Sequence, residues 1–76
     1  MPRLPRVTSA QMVRALEKAG FVRDRQKGGH LTMLHPKSRR RVTVTMHGRE
    51  LKTGTIHAIL KQASLTVEEF SHLLAD

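Results

Sequence analysis

Apolar residues recur at helical spacing in three segments of the chain, which predicts three helices. The first helix is predicted over residues 9–19, the second after Gly54-Thr55, and the last after Thr66. The apolar positions are, in chain order, Met12, Val13, Leu16 and Ala19; Ile56, Ile59, Leu60 and Ala63; and Val67, Phe70, Leu73 and Leu74.

The helix ends carry recognisable capping residues. Ser9 is the predicted N-cap of the first helix, and the alternative is a capping box one residue earlier, formed by Thr8 with Gln11. Gly20 suits the left-handed conformation that ends a helix. Thr66-Val67-Glu68-Glu69 has the capping-box pattern at the start of the last helix.

The segment between the first two helices has the alternation of β-strands. Weak patterning predicts a first strand over residues 21–26, and the segments 30–35 and 41–46 predict two more. The turns are Lys27-Gly28-Gly29 and Pro36-Lys37-Ser38-Arg39. The order α-β-β-β-α-α predicts one domain over residues 1–76. Its fold class is α+β, with a three-stranded antiparallel sheet that has helices on one face and solvent on the other.

Composition narrows the function classes. The 76 residues include 14 Lys and Arg against 6 Asp and Glu, a net charge of +8, and no cysteine. Such a charge predicts a polyanionic partner, either nucleic acid or an acidic protein. No apolar run has the length of a membrane span or of a secretory signal, so we expect no membrane partner and a cytoplasmic protein.

The positive charge is concentrated in the middle of the chain. Residues 21–52 contain nine Lys and Arg against two acids, a net charge of +7, whereas the residues after Lys61 have a net charge of −3. We therefore expect the predicted sheet and the loop after it to face a polyanion, and the alternative is a charge that serves only solubility.

His30 is the histidine with the most suggestive surroundings. On a strand over residues 30–35, alternation places His30 on the face opposite to the apolar Leu31 and Met33. His30 then points outward, next to the two-glycine turn and near Lys27. An imidazole gives or takes a proton near neutral pH, and neighbouring cations neutralise the charge that develops on a phosphodiester. From these residues alone, the alternative is a histidine that simply starts the strand and has no chemical role.

The other histidines predict less chemistry. His35 precedes Pro36 and suggests a turn role, while His57 and His72 are expected on solvated helix faces. His47 is a candidate second proton donor or phosphate ligand at the end of the sheet. Their spacing does not suggest a metal site, and carboxylates are too few for a two-metal nuclease.

A phosphate site is also predicted before the second helix. Lys52-Thr53-Gly54-Thr55 combines a lysine, hydroxyl groups and the unpaired N–H groups of a helix start, and ordinary capping is the alternative role. The open sheet face has no aromatic residues for base stacking, so recognition is expected to use the nucleic-acid backbone.

Several of these segments together resemble the HicA toxins of toxin–antitoxin pairs. The resemblance is carried by Gly28-Gly29-His30, the His35-Pro36 corner, Val42-Thr43-Val44, His47 to Thr55, Ile59 to Ala63, and Leu65 to Phe70. It covers most of the chain in order. Two positions depart from the family: the frequent proline near Thr45-Met46 is missing, and Ser64 stands where glycine is common.

The resemblance implies a fold like that of double-stranded-RNA-binding domains, with a short extra C-terminal helix. It also implies metal-independent cleavage of mRNA that stops translation, a catalytic histidine that maps onto His30, and a HicB antitoxin as partner. No small-molecule cofactor is expected. The predicted contacts to RNA phosphates are Arg25, Lys27, Gly28, Gly29, Arg39, Arg41, His47 and Lys52.

Three questions stay open from the sequence. The second proton-transfer group is His47, a lysine or water. The same fold without catalysis would be an RNA-binding domain, and a basic face used only for an acidic protein would be an interaction module. The missing carboxylate cluster favours cleavage by the 2′-hydroxyl of RNA, with a 2′,3′-cyclic phosphate product.

Overall fold

A computed structural model of the chain describes residues 3–75. Met1 and Pro2, which are part of the N-terminal segment, and Asp76, which is part of the acidic tail, lie outside the described residues. The elements are α1 (Ser9–Lys18), β1 (Val22–Lys27), β2 (His30–Leu34), β3 (Arg41–Thr45), α2 (Thr53–Ala63) and α3 (Val67–Ala75). The three strands form one antiparallel sheet in the order β1-β2-β3. The predicted α+β fold class is therefore confirmed.

The ends of α1 and α3 show which capping residues the sequence uses. Thr8, not Ser9, is the N-cap of α1: its hydroxyl accepts from the Gln11 backbone N–H, and the Gln11 side chain accepts from the Thr8 N–H. The capping-box alternative is therefore confirmed, and the Ser9 N-cap is wrong. Gly20 follows α1 with a φ of +104°, as expected.

The α3 capping box is confirmed in both directions. The Thr66 N–H donates to Glu69 at 2.9 Å, and the Glu69 N–H donates to Thr66 Oγ1 at 3.0 Å. Hydrogen bonds from Thr66 to the carboxylate hold the pKa of Glu69 below its ordinary value, because they stabilise its charged form.

One face of the sheet packs against the helices. Leu31 and Met33 of β2 and Val42 and Val44 of β3 are buried on that face, where they join the core. Their neighbours in the alternation point the other way, onto the face that we call the open face. Phe70 of α3 is also fully buried, so α3 completes the core from the helical side.

Strand β1 is displaced by one residue from its prediction. It covers Val22–Lys27 instead of residues 21–26, because Phe21 is buried in the core just before the strand begins. All six residues of β1 are exposed, and a bulge at Asp24 shifts its register against β2. The weak sequence pattern of β1 follows from this exposure, since no face of the strand is buried.

The segment before α1 holds the loop that follows β3. Leu51 is buried, and its N–H donates to the Val7 carbonyl at 2.8 Å, while Thr8 and Glu50 form an isolated antiparallel bridge. The loop that contains His47 is therefore fixed at its far end by backbone contacts. None of the helices described within residues 3–75 is long and apolar enough to cross a membrane.

Helix α2 differs from the prediction at its start. Thr53 is already its first residue, so the Lys52–Thr55 segment overlaps the helix and does not precede it. Lys52 is the N-cap, and no side chain caps the first turn by a hydrogen bond. Lys52 therefore holds the cap position with its backbone alone, without the side-chain hydrogen bond of ordinary capping.

Candidate active site

His30 is the first residue of β2 and lies exposed on the open face. Its neighbours across the sheet are Lys27 on β1 and Thr45 on β3. Directly opposed residues have Cβ atoms about 4.5–5.5 Å apart and point to the same face. The structure thus places a cationic side chain on one side of the imidazole and a hydroxyl on the other.

The Gly28-Gly29 turn links Lys27 to His30 and so makes them directly paired residues on β1 and β2. Gly28 has a φ of +58°, a conformation that side chains other than glycine disfavour. The Gly29 carbonyl accepts from the Met46 N–H at 2.6 Å, which extends the ladder between β2 and β3 by one pair beyond His30. The turn is therefore held against the end of β3.

A second polar row lies beside the first on the open face. Thr32 is opposed by Arg25 on β1 and by Thr43 on β3. Arg25 and Lys27 therefore project from the same strand onto the same face as His30. We call this region, made of Arg25, Lys27, His30, Thr32, Thr43 and Thr45, the histidine end of the open face.

His47 lies just beyond the same end of the sheet. Its Nδ1 accepts from the Arg49 N–H at 3.2 Å, and its own backbone N–H donates to Ser9 Oγ at 3.2 Å. Ser9 Oγ in turn donates to the Thr45 carbonyl at 2.6 Å. Ser9 is only 1% exposed, so this hydroxyl is a buried link between the start of α1 and the end of β3.

Sequence reasoning missed this function of Ser9. A serine beside Thr8 at a helix start has the pattern of a cap, and nothing in the local sequence indicates that its hydroxyl reaches Thr45, 36 positions away. By forming hydrogen bonds on both sides of Met46, Ser9 fixes the backbone from which His47 emerges.

Arg39 and Arg41 are not close to His30. Arg41 is opposed by Leu34 at the other end of β2 and β3, four residues from Thr45, which corresponds to about 13 Å along a strand. Its guanidinium forms an ion pair with Asp24. Arg39 lies in the turn before β3 with a φ of +65°. If both arginines contact RNA, the bound RNA strand has to run along the whole length of the sheet.

Lys52 lies away from the strands, at the N-terminus of α2, and its side chain is exposed. The first turn of α2 has no acidic residue, so its N–H groups and Lys52 leave a positive potential at that end. This terminus is the second cationic feature that the sequence predicted, and it lies outside the histidine end.

The remaining histidines are placed as predicted. His57 and His72 are exposed on α2 and α3. His35 has the predicted turn role, because its Nδ1 accepts from the N–H groups of Lys37 and Ser38 at 3.3 and 3.2 Å. Within residues 3–75, no three histidine or acidic side chains come together as a possible metal site.

Comparison with protein families places the chain. Residues 9–65 of the 76 match the family described as the HicA toxin of bacterial toxin–antitoxin systems. The comparison with curated proteins found no match. The matched range contains α1, the whole sheet and α2, and thus every residue of the histidine end. The chain belongs to the HicA toxin family and is the toxin component of a toxin–antitoxin system, with an antitoxin as its partner.

Proposed function

We propose that this toxin is an endoribonuclease that cleaves mRNA without a metal ion and so stops translation. The observation that carries the proposal is the exposed His30 on the open face, opposed by Lys27 and beside Arg25. A proton acceptor with cations at this spacing matches what RNA cleavage by its own 2′-hydroxyl requires.

The proposed reaction starts at the 2′-hydroxyl of RNA. His30 removes its proton as a general base, and the 2′-oxygen attacks the neighbouring phosphorus. Lys27 and Arg25 stabilise the negative charge that grows on the phosphoryl oxygens. The bond to the 5′-oxygen of the next nucleotide then breaks, which leaves a 2′,3′-cyclic phosphate and a 5′-hydroxyl.

The departing 5′-oxygen needs a proton from a second group. Lys27 is the lysine that the sheet places opposite His30, while His47 lies beyond the strand end with its Nδ1 already accepting from Arg49. This geometry favours Lys27 or water over His47 as the donor. If the acid and base roles are exchanged, His30 protonates the departing 5′-oxygen, and Lys27 or water removes the proton of the 2′-hydroxyl.

Backbone contacts complete the proposed substrate site. The Gly28-Gly29 turn lets an RNA strand approach the sheet closely, because neither glycine has a side chain. Lys52 extends the cationic surface beyond the histidine end, Arg39 and Arg41 extend it along the sheet, and His47 adds a further contact to RNA phosphate. The proposed protein partner is a HicB-type antitoxin with an acidic surface that covers the open face, and both proteins would act in the cytoplasm.

His30→Ala tests the proposal, with His57→Ala as the matched control. Both histidines are exposed, but His57 lies on α2 away from the strands. We expect His30→Ala to lower the rate of RNA cleavage by about 100-fold or more, because the general base is removed. RNA binding and the melting temperature should be unchanged, and EDTA should not inhibit the wild-type protein.

The outcomes separate the alternatives. Cleavage by His30→Ala at the rate of His57→Ala would show that His30 is not the base. RNA binding without cleavage by the wild-type protein would indicate a non-catalytic RNA-binding domain of this fold. Absence of RNA binding even at low salt would leave an acidic protein as the sole partner of the basic face.

A further inference from the structure

Acidic side chains are almost absent from the basic part of the chain. Residues 21–52 contain only Asp24 and Glu50. Glu50 lies in the loop that pairs with Thr8, so Asp24 is the one carboxylate carried by the strands. A carboxylate at this place repels any polyanion bound on the open face. The contacts that Asp24 makes therefore need a physical explanation.

Asp24 reaches across the sheet to Arg41. The bulge of β1 lies at Asp24, between Arg23 and Arg25, and its carboxylate contacts the Arg41 guanidinium at 2.5 Å. Asp24 is on β1 and Arg41 is on β3, so two strand spacings, about 9.5 Å, separate their backbones. The ion pair therefore crosses the middle strand on the open face, at the end opposite to His30.

The ion pair is exposed enough to be exchanged. The side chains of Arg41 and Asp24 are 62% and 35% exposed. Exposed pairs of this kind contribute little net stability, because water and salt screen them. A phosphate group offers the same two-oxygen acceptor to a guanidinium and carries the charge of a continuous strand with it.

We propose that Asp24 competes with RNA phosphate for Arg41. In the free protein Asp24 occupies the guanidinium. When a strand long enough to run from His30 to the far end is bound, a phosphate replaces the carboxylate. Asp24 thereby limits the affinity for RNA and makes Arg41 a contact only for longer substrates. This inference rests on the proposed function, since it takes RNA as the polyanion.

Asp24→Asn tests the inference by equilibrium binding. The probe is a single-stranded RNA oligonucleotide with 2′-O-methyl groups, which cannot be cleaved through the 2′-hydroxyl and so reports binding alone. We expect Asp24→Asn to bind it up to about fivefold more tightly, the scale of an exposed ion pair. The log–log slope of the binding constant against salt should change by less than the roughly 0.7 that one phosphate contact contributes on a single strand, because Arg41 contacts a phosphate in the bound state of both proteins.

Glu17→Gln is the matched control. Glu17 also pairs with an arginine of β1, Arg23, at 3.7 Å with similar exposure, but Arg23 is opposed by the buried Met33 and faces the helices. Both variants remove one negative charge. Only Asp24→Asn is expected to change the affinity beyond the small effect of net charge, and its effect should disappear in an Arg41→Gln background.

Three results would overturn the inference while leaving the proposed function intact. One is wild-type RNA binding that Asp24→Asn does not change. The second is an equal gain of affinity in Glu17→Gln or in the Arg41→Gln background, since the effect would then be net charge. The third is tighter binding of poly-glutamate, but not of RNA, by Asp24→Asn, which would assign Arg41 to a protein partner. If neither protein binds RNA, this inference and the proposed function both fail.

Discussion

Two histidines lie at opposite ends of the same strand and have different environments. His30 begins β2 on the open face, and within residues 3–75 no hydrogen bond to its ring is present. His35 directly follows β2 and is half-buried. Its Nδ1 accepts two backbone N–H groups, and its ring packs edge-on against Phe21 with the centroids 5.2 Å apart.

The difference shows what makes a histidine available for chemistry. His35 holds the turn between β2 and β3, since its own N–H and carbonyl also bond Arg40 and Arg39. Protonation of Nδ1 would remove an acceptor that two N–H groups need. His30 carries no such structural task, and its neighbour is a lysine. A free ring beside a cation, not the presence of histidine, distinguishes the candidate catalyst.

The largest expected effect is on stability at the His35 end. His35→Ala removes the acceptor of two N–H groups and the contact with Phe21, so we expect a loss of about 2–3 kcal/mol in the free energy of unfolding. His30→Ala should change it by less than about 0.5 kcal/mol, as for other exposed positions. Urea unfolding of both variants measures this. Equal losses would mean that the two histidines are not divided into structural and chemical roles.

Gly20→Ala acts on the same end through His35. A Cβ at Gly20 would lie 2.8 Å from His35 Nε2, and its φ of +104° is unfavourable for alanine. We expect a loss of about 2 kcal/mol in unfolding free energy. RNA cleavage per folded molecule should stay at the wild-type level, because the change is remote from His30. A loss of cleavage in fully folded Gly20→Ala would show that the two ends are coupled.

Substitutions in the two hairpin turns should have smaller effects on the free energy of unfolding, of opposite sign. Both contain a left-handed residue, Gly28 at the His30 end and Arg39 at the His35 end. Gly28→Ala should lower the free energy of unfolding by about 1 kcal/mol, and Arg39→Gly should raise it by about the same amount. Thermal melting measures both. A destabilised Arg39→Gly would show that the arginine side chain stabilises its turn.

The smallest expected effect is the pH dependence of stability at Glu69, which distinguishes the titration of a carboxylate from that of a histidine. The pKa of Glu69 is lowered in the folded protein from its ordinary value of 4.5, so its contribution to stability is complete above that value. It is lost as the pH falls through the lowered pKa. Glu69→Gln should therefore be slightly less stable than the wild type near neutral pH, and the difference should vanish in strong acid. A difference that changes instead between pH 5 and 8 would implicate a histidine.

The sequence predicts most of the elements because their patterns are local. The stripe of α1, the alternation of β3 and the Thr66–Glu69 capping box each depend on residues within a few positions of one another. The predicted boundaries of helices and strands were wrong where a contact with a residue distant in sequence determines them. Phe21 joins the core instead of β1, and Ser9 reaches Thr45 instead of capping its own helix.

The family departure at Ser64 is explained by the backbone. Ser64 ends α2 with φ and ψ of 59° and 39°, the left-handed conformation in which glycine is common. The structure therefore keeps the turn between α2 and α3, and the serine adopts the glycine conformation.

The fold class and the basic middle of the chain follow from periodicity and charge along the sequence, whereas His30 becomes the candidate base only through the resemblance to the HicA toxins. Only the tertiary structure determines which side chains lie beside His30 and Arg41. The strand register set Lys27 and Thr45 beside His30, separated Arg41 from it by the length of the sheet, and gave Arg41 to Asp24. The reason is that register and bulges depend on how a buried face packs, and one residue of shift changes every neighbour on the open face.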